Sequence, residues 1–188
     1  MISLVHPTLK LLPSYLEAIE EGSFCNMALG GFADDPAKEI RQDEDAYIGK
    51  IKSRAPRMVK MQNGLEFSIT DHELLWITDG HRFIGTVSLR YDGDPEIIDD
   101  YGGHIGLAIR PSLLNRGFGV KAAQQAWKLA GKLVQQKGLV KIRLSCSPTN
   151  TASKRLIEHN GGKLVRRDED VHGTGPNLLY EIDLHQQQ

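Results

Sequence analysis

The chain has 188 residues, of which 40% are hydrophobic and 25% charged, with 23 Lys and Arg against 24 Asp and Glu. At this length roughly 70% of the unfolded chain's surface can be buried, so stability requires neither disulfides nor a structural metal. The net charge of −1 argues against nucleic acid or an anionic membrane as the main partner. We therefore expect a single domain over residues 1–188.

The cysteines and histidines indicate the cellular compartment and argue against a metal site. Cys25 and Cys146 are the only cysteines, which excludes a disulfide framework and favours a reducing, cytoplasmic location. The histidines show no metal-ligand spacing, so no metal is expected. The N-terminus lacks the pattern of a signal peptide, and no run of 18 apolar residues predicts a membrane span.

The first part of the chain predicts one helix followed by a long irregular stretch. Apolar residues recur at helical spacing over 8–21, with Thr8 as a candidate cap and Gly22 as a stop. Glycine and proline interrupt residues 23–68, where only a short helix over 44–51 is predicted. Irregular stretches of this length commonly shape a binding site.

The rest of the chain alternates strands and helices. Asp79-Gly80 joins two alternating runs and predicts a hairpin, and an acidic loop follows over 92–100. The predicted strands are 74–78, 82–90, 104–109, 141–147, 163–167 and 178–184, and the predicted helices are 118–136 and 151–160. This order predicts a mixed α/β fold with at least one strand–helix–strand crossover.

Residues 109–120 lead from a strand into the long helix through a basic, glycine-bearing turn. Because N–H groups at a helix start lack intrahelical partners and the dipole favours negative charge there, such a turn can bind phosphate. Gly117 and Gly119 let a pyrophosphate approach the backbone, and Arg116 adds charge. Two other interpretations stay open: a tight turn without function, and a dinucleotide fingerprint, which Gly117, Gly119 and Ala122 match without the acid that would hold a ribose.

A second motif in the right order makes the pattern more specific. Arg110-Pro111 and Arg116-Gly117-Phe118-Gly119 are followed, after the next strand, by Asn150-x-x-Ser153 and Asn160-Gly161-Gly162. This arrangement resembles the acetyl-CoA-binding core of the GCN5-related N-acetyltransferases (GNAT), over roughly 74–184. Within that superfamily, the sequence around Gly102-Gly103-His104 is similar to that of small bacterial predicted acetyltransferases of unassigned substrate.

The resemblance implies a central twisted, mostly antiparallel sheet flanked by helices. It implies an acetyl-CoA-binding core over 71–185, with acceptor-side helices and a loop over 1–70. The implied activity is a cytoplasmic acyltransferase that moves acetyl from acetyl-CoA, as co-substrate, to a primary amine by direct attack in a ternary complex. Expected partners are a small-molecule or peptide amine and, in a homodimer, a second copy of the chain. The alternatives are an acyl-CoA-binding regulatory module without catalysis and a dinucleotide-binding domain.

The resemblance also implies which residues hold the cofactor. The pyrophosphate is expected on the N–H groups of the glycine turn, and the pantetheine arm along the end of the preceding strand. A backbone N–H near Ile109 would stabilise an oxyanion, while Asn150 would contact the arm and cap the next helix. The implied cofactor residues are Leu107, Ala108, Ile109, Asn115, Arg116, Gly117, Phe118, Gly119, Val120, Asn150 and Ser153.

The chain departs from the family's usual acid and base. The tyrosine acid of many members falls at Ile157, the glutamate base of some falls at Ser145, and Leu114 stands where Gln or Arg is usual. A lysine-like amine is neutral only about once in a thousand at pH 7, and a positioned base contributes ~10²–10⁴-fold. We therefore predict His104 as the base, with a packed or surface histidine as the alternative. Cys146 alternates with apolar residues and is expected in the core.

Overall fold

The computed structural model describes residues 1–22, 35–55, 57–60, 66–69, 71–92, 103–136, 138, 140–170 and 175–183. The chain forms two compact units. Unit 1 comprises Met1–Ala55, His72–Leu89 and Gly106–Ala126, and unit 2 comprises Pro56–Asp71, Arg90–Ile105 and Trp127–Gln188. Cys25, most of the acidic loop over 92–100 and parts of the stretch over 23–68 lie outside the described residues.

The described elements follow the order expected of a mixed α/β fold. They are β1 (Ser3–Val5), a 3-10 helix (Leu9–Leu11), α1 (Leu12–Glu20), α2 (Pro36–Gln42), α3 (Glu44–Lys52), β2 (Arg57–Lys60), β3 (Glu66–Ile69), β4 (Asp71–Thr78), β5 (Phe83–Asp92), β6 (Ile105–Ile109), a second 3-10 helix (Pro111–Leu113), α4 (Phe118–Gln136), β7 (Lys141–Cys146), α5 (Thr151–His159), β8 (Lys163–Asp168) and β9 (Asn177–Asp183). The predicted fold class is confirmed.

Within the described residues the strands form sheets in the orders β1-β4-β5-β6, β2-β3 and β7-β9-β8. The pairs β1–β4, β2–β3, β7–β9 and β8–β9 are antiparallel. An isolated bridge joins Gly103, just before β6, to Leu144 of β7. The chain therefore has the antiparallel sheets and helices that the sequence predicted.

The core of unit 1 fixes the helices on the sheet. The Tyr15 ring stacks on Trp76 at a centroid distance of 4.7 Å and meets Phe83 edge-on at 5.0 Å. The hydroxyls of Tyr15 and Tyr47 are 2.8 Å apart, and burial raises the pKa of Tyr47 to about 12. Burial of each large side chain contributes roughly 1.5–3 kcal/mol, so α1 is held firmly where it ends at Glu20.

Short elements contradict the prediction that residues 23–68 are irregular apart from one short helix. The structure adds α2 and the antiparallel pair β2–β3 to that helix, which is α3, and β1 precedes the first predicted helix. Pro36 does not break a helix but begins one, because the Asp35 side chain accepts a hydrogen bond from Lys38 N at 2.9 Å. Thr8 occupies the N-cap position of the first 3-10 helix, as predicted, but its side chain makes no cap hydrogen bond.

The described part of the chain bears on the predictions about membranes and metals. No helix there is long and apolar enough to cross a bilayer. In the same residues, no group of three or more His, Cys, Asp or Glu side chains is arranged to hold a metal ion. Independence from metal stays a prediction.

Candidate functional site

The turn between β6 and α4 has an unusual backbone. Asn115 has a φ of 59° and Gly117 a φ of 76°, so two residues of the left-handed region lie one residue apart. Such alternation turns successive N–H groups toward one place and forms a concavity for anions. Phe118, Gly119 and Val120 open α4, and the N–H groups of a helix's first turn have no intrahelical acceptor. We name residues 115–120 the cradle.

There is free space beside both glycines of the cradle. A Cβ atom added to Gly117 would meet nothing within 4 Å, and one added to Gly119 would meet only Ile109 Cγ1, at 3.7 Å. Asn115, Arg116 and Gly117 are exposed. The exposed Arg116 guanidinium and the N–H groups at the start of α4 could together bind an anion.

The strand before the cradle is shaped by a glycine on its neighbour. A Cβ added to Gly85 of β5 would lie 2.1 Å from Ala108 O and 3.0 Å from Ile109 Cα. Only glycine therefore leaves room for that carbonyl oxygen. Because C=O and N–H point in opposite directions in a trans peptide, the Ile109 N–H faces away from Gly85. Leu107, Ala108 and Ile109 are half-buried.

A buried arginine ties the turn before the cradle to α1. The Arg110 guanidinium is 8% exposed and donates to the Glu21 carboxylate through Nε, at 2.9 Å, and through Nη2. Its Nη1 donates to Ser14 Oγ at 3.2 Å and to Phe83 O at 3.2 Å. Glu21 also accepts from Ser112 N at 3.0 Å and from Ser112 Oγ at 2.9 Å. These bonds, led by those from Arg110, lower the pKa of Glu21 to about 2.

His104 lies in unit 2, where its ring is held by the backbone of β7. Arg143 N donates to His104 Nδ1 at 2.9 Å, and His104 N donates to Arg143 O at 2.7 Å. Because Nδ1 accepts the hydrogen bond from the Arg143 N–H, the neutral ring carries its own hydrogen on Nε2. His104 is 5% exposed, so the packed alternative describes its environment. Its role as a base stays a prediction and requires that this hydrogen bond break on protonation.

Gly103 explains why β7 comes so close at this point. It has a φ of 69°, and an added Cβ would lie 2.3 Å from Arg143 O. A side chain would therefore push the two backbones apart. The Gly103 carbonyl accepts from Arg90 Nε at 2.7 Å, which fixes its orientation.

The second predicted cofactor motif also lies in unit 2. Asn150 caps α5, its Oδ1 accepting from Ser153 N at 3.1 Å, and it is exposed. The cap leaves the Asn150 Nδ2 donors available for another acceptor.

Ile157 and Cys146 are core residues of unit 2. Ile157 is 4% exposed, and burial raises the pKa of Cys146. Cys146 is therefore a protonated core thiol, as its alternation predicted.

The predicted site residues fall in both compact units. Leu107, Ala108, Ile109 and the cradle belong to unit 1, whereas His104, Asn150 and Ser153 belong to unit 2. Sequence reasoning missed Glu21 and Gly85. Neither carries a local signal, because Glu21 meets Ser112 from 91 residues away.

A family described as "Acetyltransferase (GNAT) domain" matches residues 28–163, well over half of the chain. The chain belongs to the GNAT family. The predicted family and the predicted acyltransferase class are thereby confirmed. No curated protein matches this GNAT chain in sequence.

Solved structures agree with the GNAT fold. A "Probable acetyltransferase" has a TM-score of 0.64 and 16% identity, covering 98% of this chain and 94% of its own. The Microcin C7 self immunity acetyltransferase MccE, in complex with acetyl-CoA and AMP, has a TM-score of 0.57 and 17% identity over 97% of this chain and 92% of its own. The ribosomal L7/L12 alpha-N-protein acetyltransferase RimL, in complex with coenzyme A, has a TM-score of 0.56 and 13% identity over 97% of this chain and 93% of its own. Because these sequence identities are low, the similarity to the three structures shows a shared fold and no more.

Proposed function

We propose that this GNAT protein transfers the acetyl group of acetyl-CoA to a primary amine. The observation that carries the proposal is the open cradle of residues 115–120, with left-handed Asn115 and Gly117 at the start of α4. A pyrophosphate fits such a cradle because several N–H groups and the helix dipole favour negative charge together. Arg116 supplies a further cation that is exposed to the ligand.

The remainder of acetyl-CoA would follow the strand end. Its pantetheine amides pair with the half-buried backbone of Leu107, Ala108 and Ile109, as an added strand does. Asn150 and Ser153 would contact the arm, with the Asn150 Nδ2 donors that its helix cap leaves available. Two structures of similar fold hold acetyl-CoA or coenzyme A, which supports acetyl-CoA as the co-substrate.

The chemistry is direct attack in a ternary complex. The neutral amine nitrogen forms a bond to the thioester carbon, the oxyanion collapses, and the carbon–sulfur bond breaks to release CoA. The Ile109 N–H, turned away from Gly85, would donate to the oxyanion. The amine's proton passes to His104, after its Nδ1 leaves Arg143 N, or to water, and the thiolate takes a proton from solvent.

The acceptor we propose is a small-molecule or peptide amine. One structure of similar fold is a Microcin C7 self immunity acetyltransferase and another a ribosomal protein acetyltransferase, so the fold supports both classes. Residues 1–70 would shape the acceptor side, and 71–185 the cofactor core, of a single domain. We further propose a cytoplasmic homodimer that acts without metal, nucleic acid or membrane.

A second candidate is an acyl-CoA-binding regulatory module. It is favoured by Ile157, which is buried where many family members have the tyrosine acid, and by Ser145 at the position of the glutamate base. A module of this kind would bind acetyl-CoA and release no thiol. The dinucleotide-binding alternative is dropped, because the chain belongs to the GNAT family.

An acceptor screen separates the two candidates. The purified protein is incubated with acetyl-CoA and a panel of polyamines, amino sugars, amino acids and peptides with free N-termini, and free thiol is followed with time. The proposal predicts amine-dependent thiol release together with a product that carries one acetyl group by mass spectrometry. Tight acetyl-CoA binding with no release across the panel would favour the regulatory module.

A further inference from the structure

The end of α1 is bonded to the turn that leads into the cradle. Glu21 accepts hydrogen bonds from both the guanidinium of Arg110 and the backbone and hydroxyl of Ser112. We name these three residues the clamp. Arg110 Nη1 also donates to Ser14 Oγ of α1 and to Phe83 O of β5. A guanidinium satisfied on three sides by other elements is shielded from a phosphate, so it does not serve as a phosphate ligand.

The cradle needs such support because its backbone is strained. Asn115 is a non-glycine residue in the left-handed region, and residues of this kind persist only where surrounding structure over-determines them. The clamp holds Ser112, and Leu113 is 4% exposed, so the chain is anchored just before Asn115. A binding site that is already ordered loses less entropy on binding its ligand.

The charge of the clamp is secure at ordinary pH. Arg110 and Ser112 hold the pKa of Glu21 at about 2, so its carboxylate is ionised wherever the enzyme would work. Glu17, one turn earlier on α1, is a natural comparison. Its Oε2 lies 3.7 Å from Arg110 Nη2, but its side chain is 67% exposed and no hydrogen bond joins it to Ser112 in the described residues.

We infer that Glu21, Arg110 and Ser112 are positioning residues that preorganise the cradle and thereby set its affinity for acetyl-CoA. The inference rests on the proposed function, because it takes the cradle as the pyrophosphate site. It also ties the end of α1, on the predicted acceptor side of the chain, to the cofactor. These residues hold the backbone that touches the ligand and make no contact with the reacting atoms.

The test compares Glu21→Gln with Glu17→Gln, since each removes one negative charge from α1. Calorimetry gives the Kd of acetyl-CoA, and amide hydrogen exchange of the free proteins reports on residues 110–120. We expect Glu21→Gln to raise the Kd about tenfold and to accelerate exchange in that segment, whereas Glu17→Gln stays within about twofold of the wild type. Ser112→Ala, a milder change, should show a smaller shift of the same kind.

The outcomes separate this inference from the proposed function. If the wild type binds acetyl-CoA and Glu21→Gln equals Glu17→Gln in both affinity and exchange, the clamp has no positioning role. If exchange of residues 110–120 rises by no more than exchange elsewhere in the chain, the clamp only stabilises the fold in general and the inference is wrong. If the wild type does not bind acetyl-CoA at all, the proposed function fails, and with it the assignment of the cradle.

Discussion

Gly117 allows the cradle to be tested against a control of matched geometry. Gly117 and Gly138 have φ values of 76° and 77°, and a Cβ added at either would meet nothing within 4 Å. Gly138 follows α4 and donates to Gln135 O at 2.9 Å, which is an ordinary helix end. Alanine should therefore destabilise both positions alike, by about 1–2 kcal/mol for a left-handed L-residue.

Affinity should distinguish the two variants. At Gly117 the methyl group occupies the open side from which a pyrophosphate approaches, and a lost hydrogen bond to a charged group costs about 1.5–3 kcal/mol. This range corresponds to a loss of roughly 10- to 150-fold in acetyl-CoA affinity. Urea unfolding measures the stability of Gly117→Ala and Gly138→Ala, and calorimetry measures their acetyl-CoA Kd. Equal affinities in the two variants would refute the cradle as the pyrophosphate site.

Three further predictions follow from the buried contacts. Gly103→Ala should lower the free energy of unfolding by about 2–5 kcal/mol, more than Gly138→Ala does, because the added Cβ meets Arg143 O. An equal loss in the two variants would refute that contact. The pKa of Glu21 is lowered to about 2, so its contribution is present above about pH 4.5 and is lost as pH falls toward 2. The free energy of unfolding of the wild type should thus exceed that of Glu21→Gln by about 1–2 kcal/mol at pH 7, after discounting for a 23% exposed side chain, and by less at pH 3. Urea unfolding that gives the same difference at both pH values contradicts this. If His104 is the base, His104→Ala lowers kcat ~10²–10⁴-fold and removes the acid limb of the pH–rate profile, and an unchanged profile excludes it.

The sequence predicted the elements whose periodicity is long. The helix over 118–136 agrees at both ends with α4, and the hairpin at Asp79-Gly80 joins β4 to β5. Shorter elements depend on partners that the sequence does not reveal. The three residues of β1 pair with β4 more than 70 residues later, Ser3 with Thr78 and Val5 with Trp76. The sequence does carry a signal for α2 in Asp35-Pro36, a cap followed by proline in the first turn, but proline beside glycine-rich sequence predicts a break equally well.

The candidate site was predictable to the same extent. The glycine turn has a local signature, since left-handed residues and a helix start lie together in 115–120. The contacts that hold this turn do not, because they join Glu21 to Arg110 and Gly85 to Ala108 across different elements. Glutamate near a helix end and glycine in a strand are common in any globular sequence, so only the fold reveals their partners.

Titration calorimetry with acetyl-CoA, CoA and NAD tests whether residues 115–120 form a backbone cradle for the pyrophosphate of acetyl-CoA. NAD carries a pyrophosphate as well, so it tests whether the pantetheine arm along Leu107 to Ile109 adds recognition. We expect one site for acetyl-CoA and CoA, much weaker binding of NAD, and CoA binding weakened roughly 10- to 150-fold in Gly117→Ala. Binding of NAD with none of CoA would contradict it.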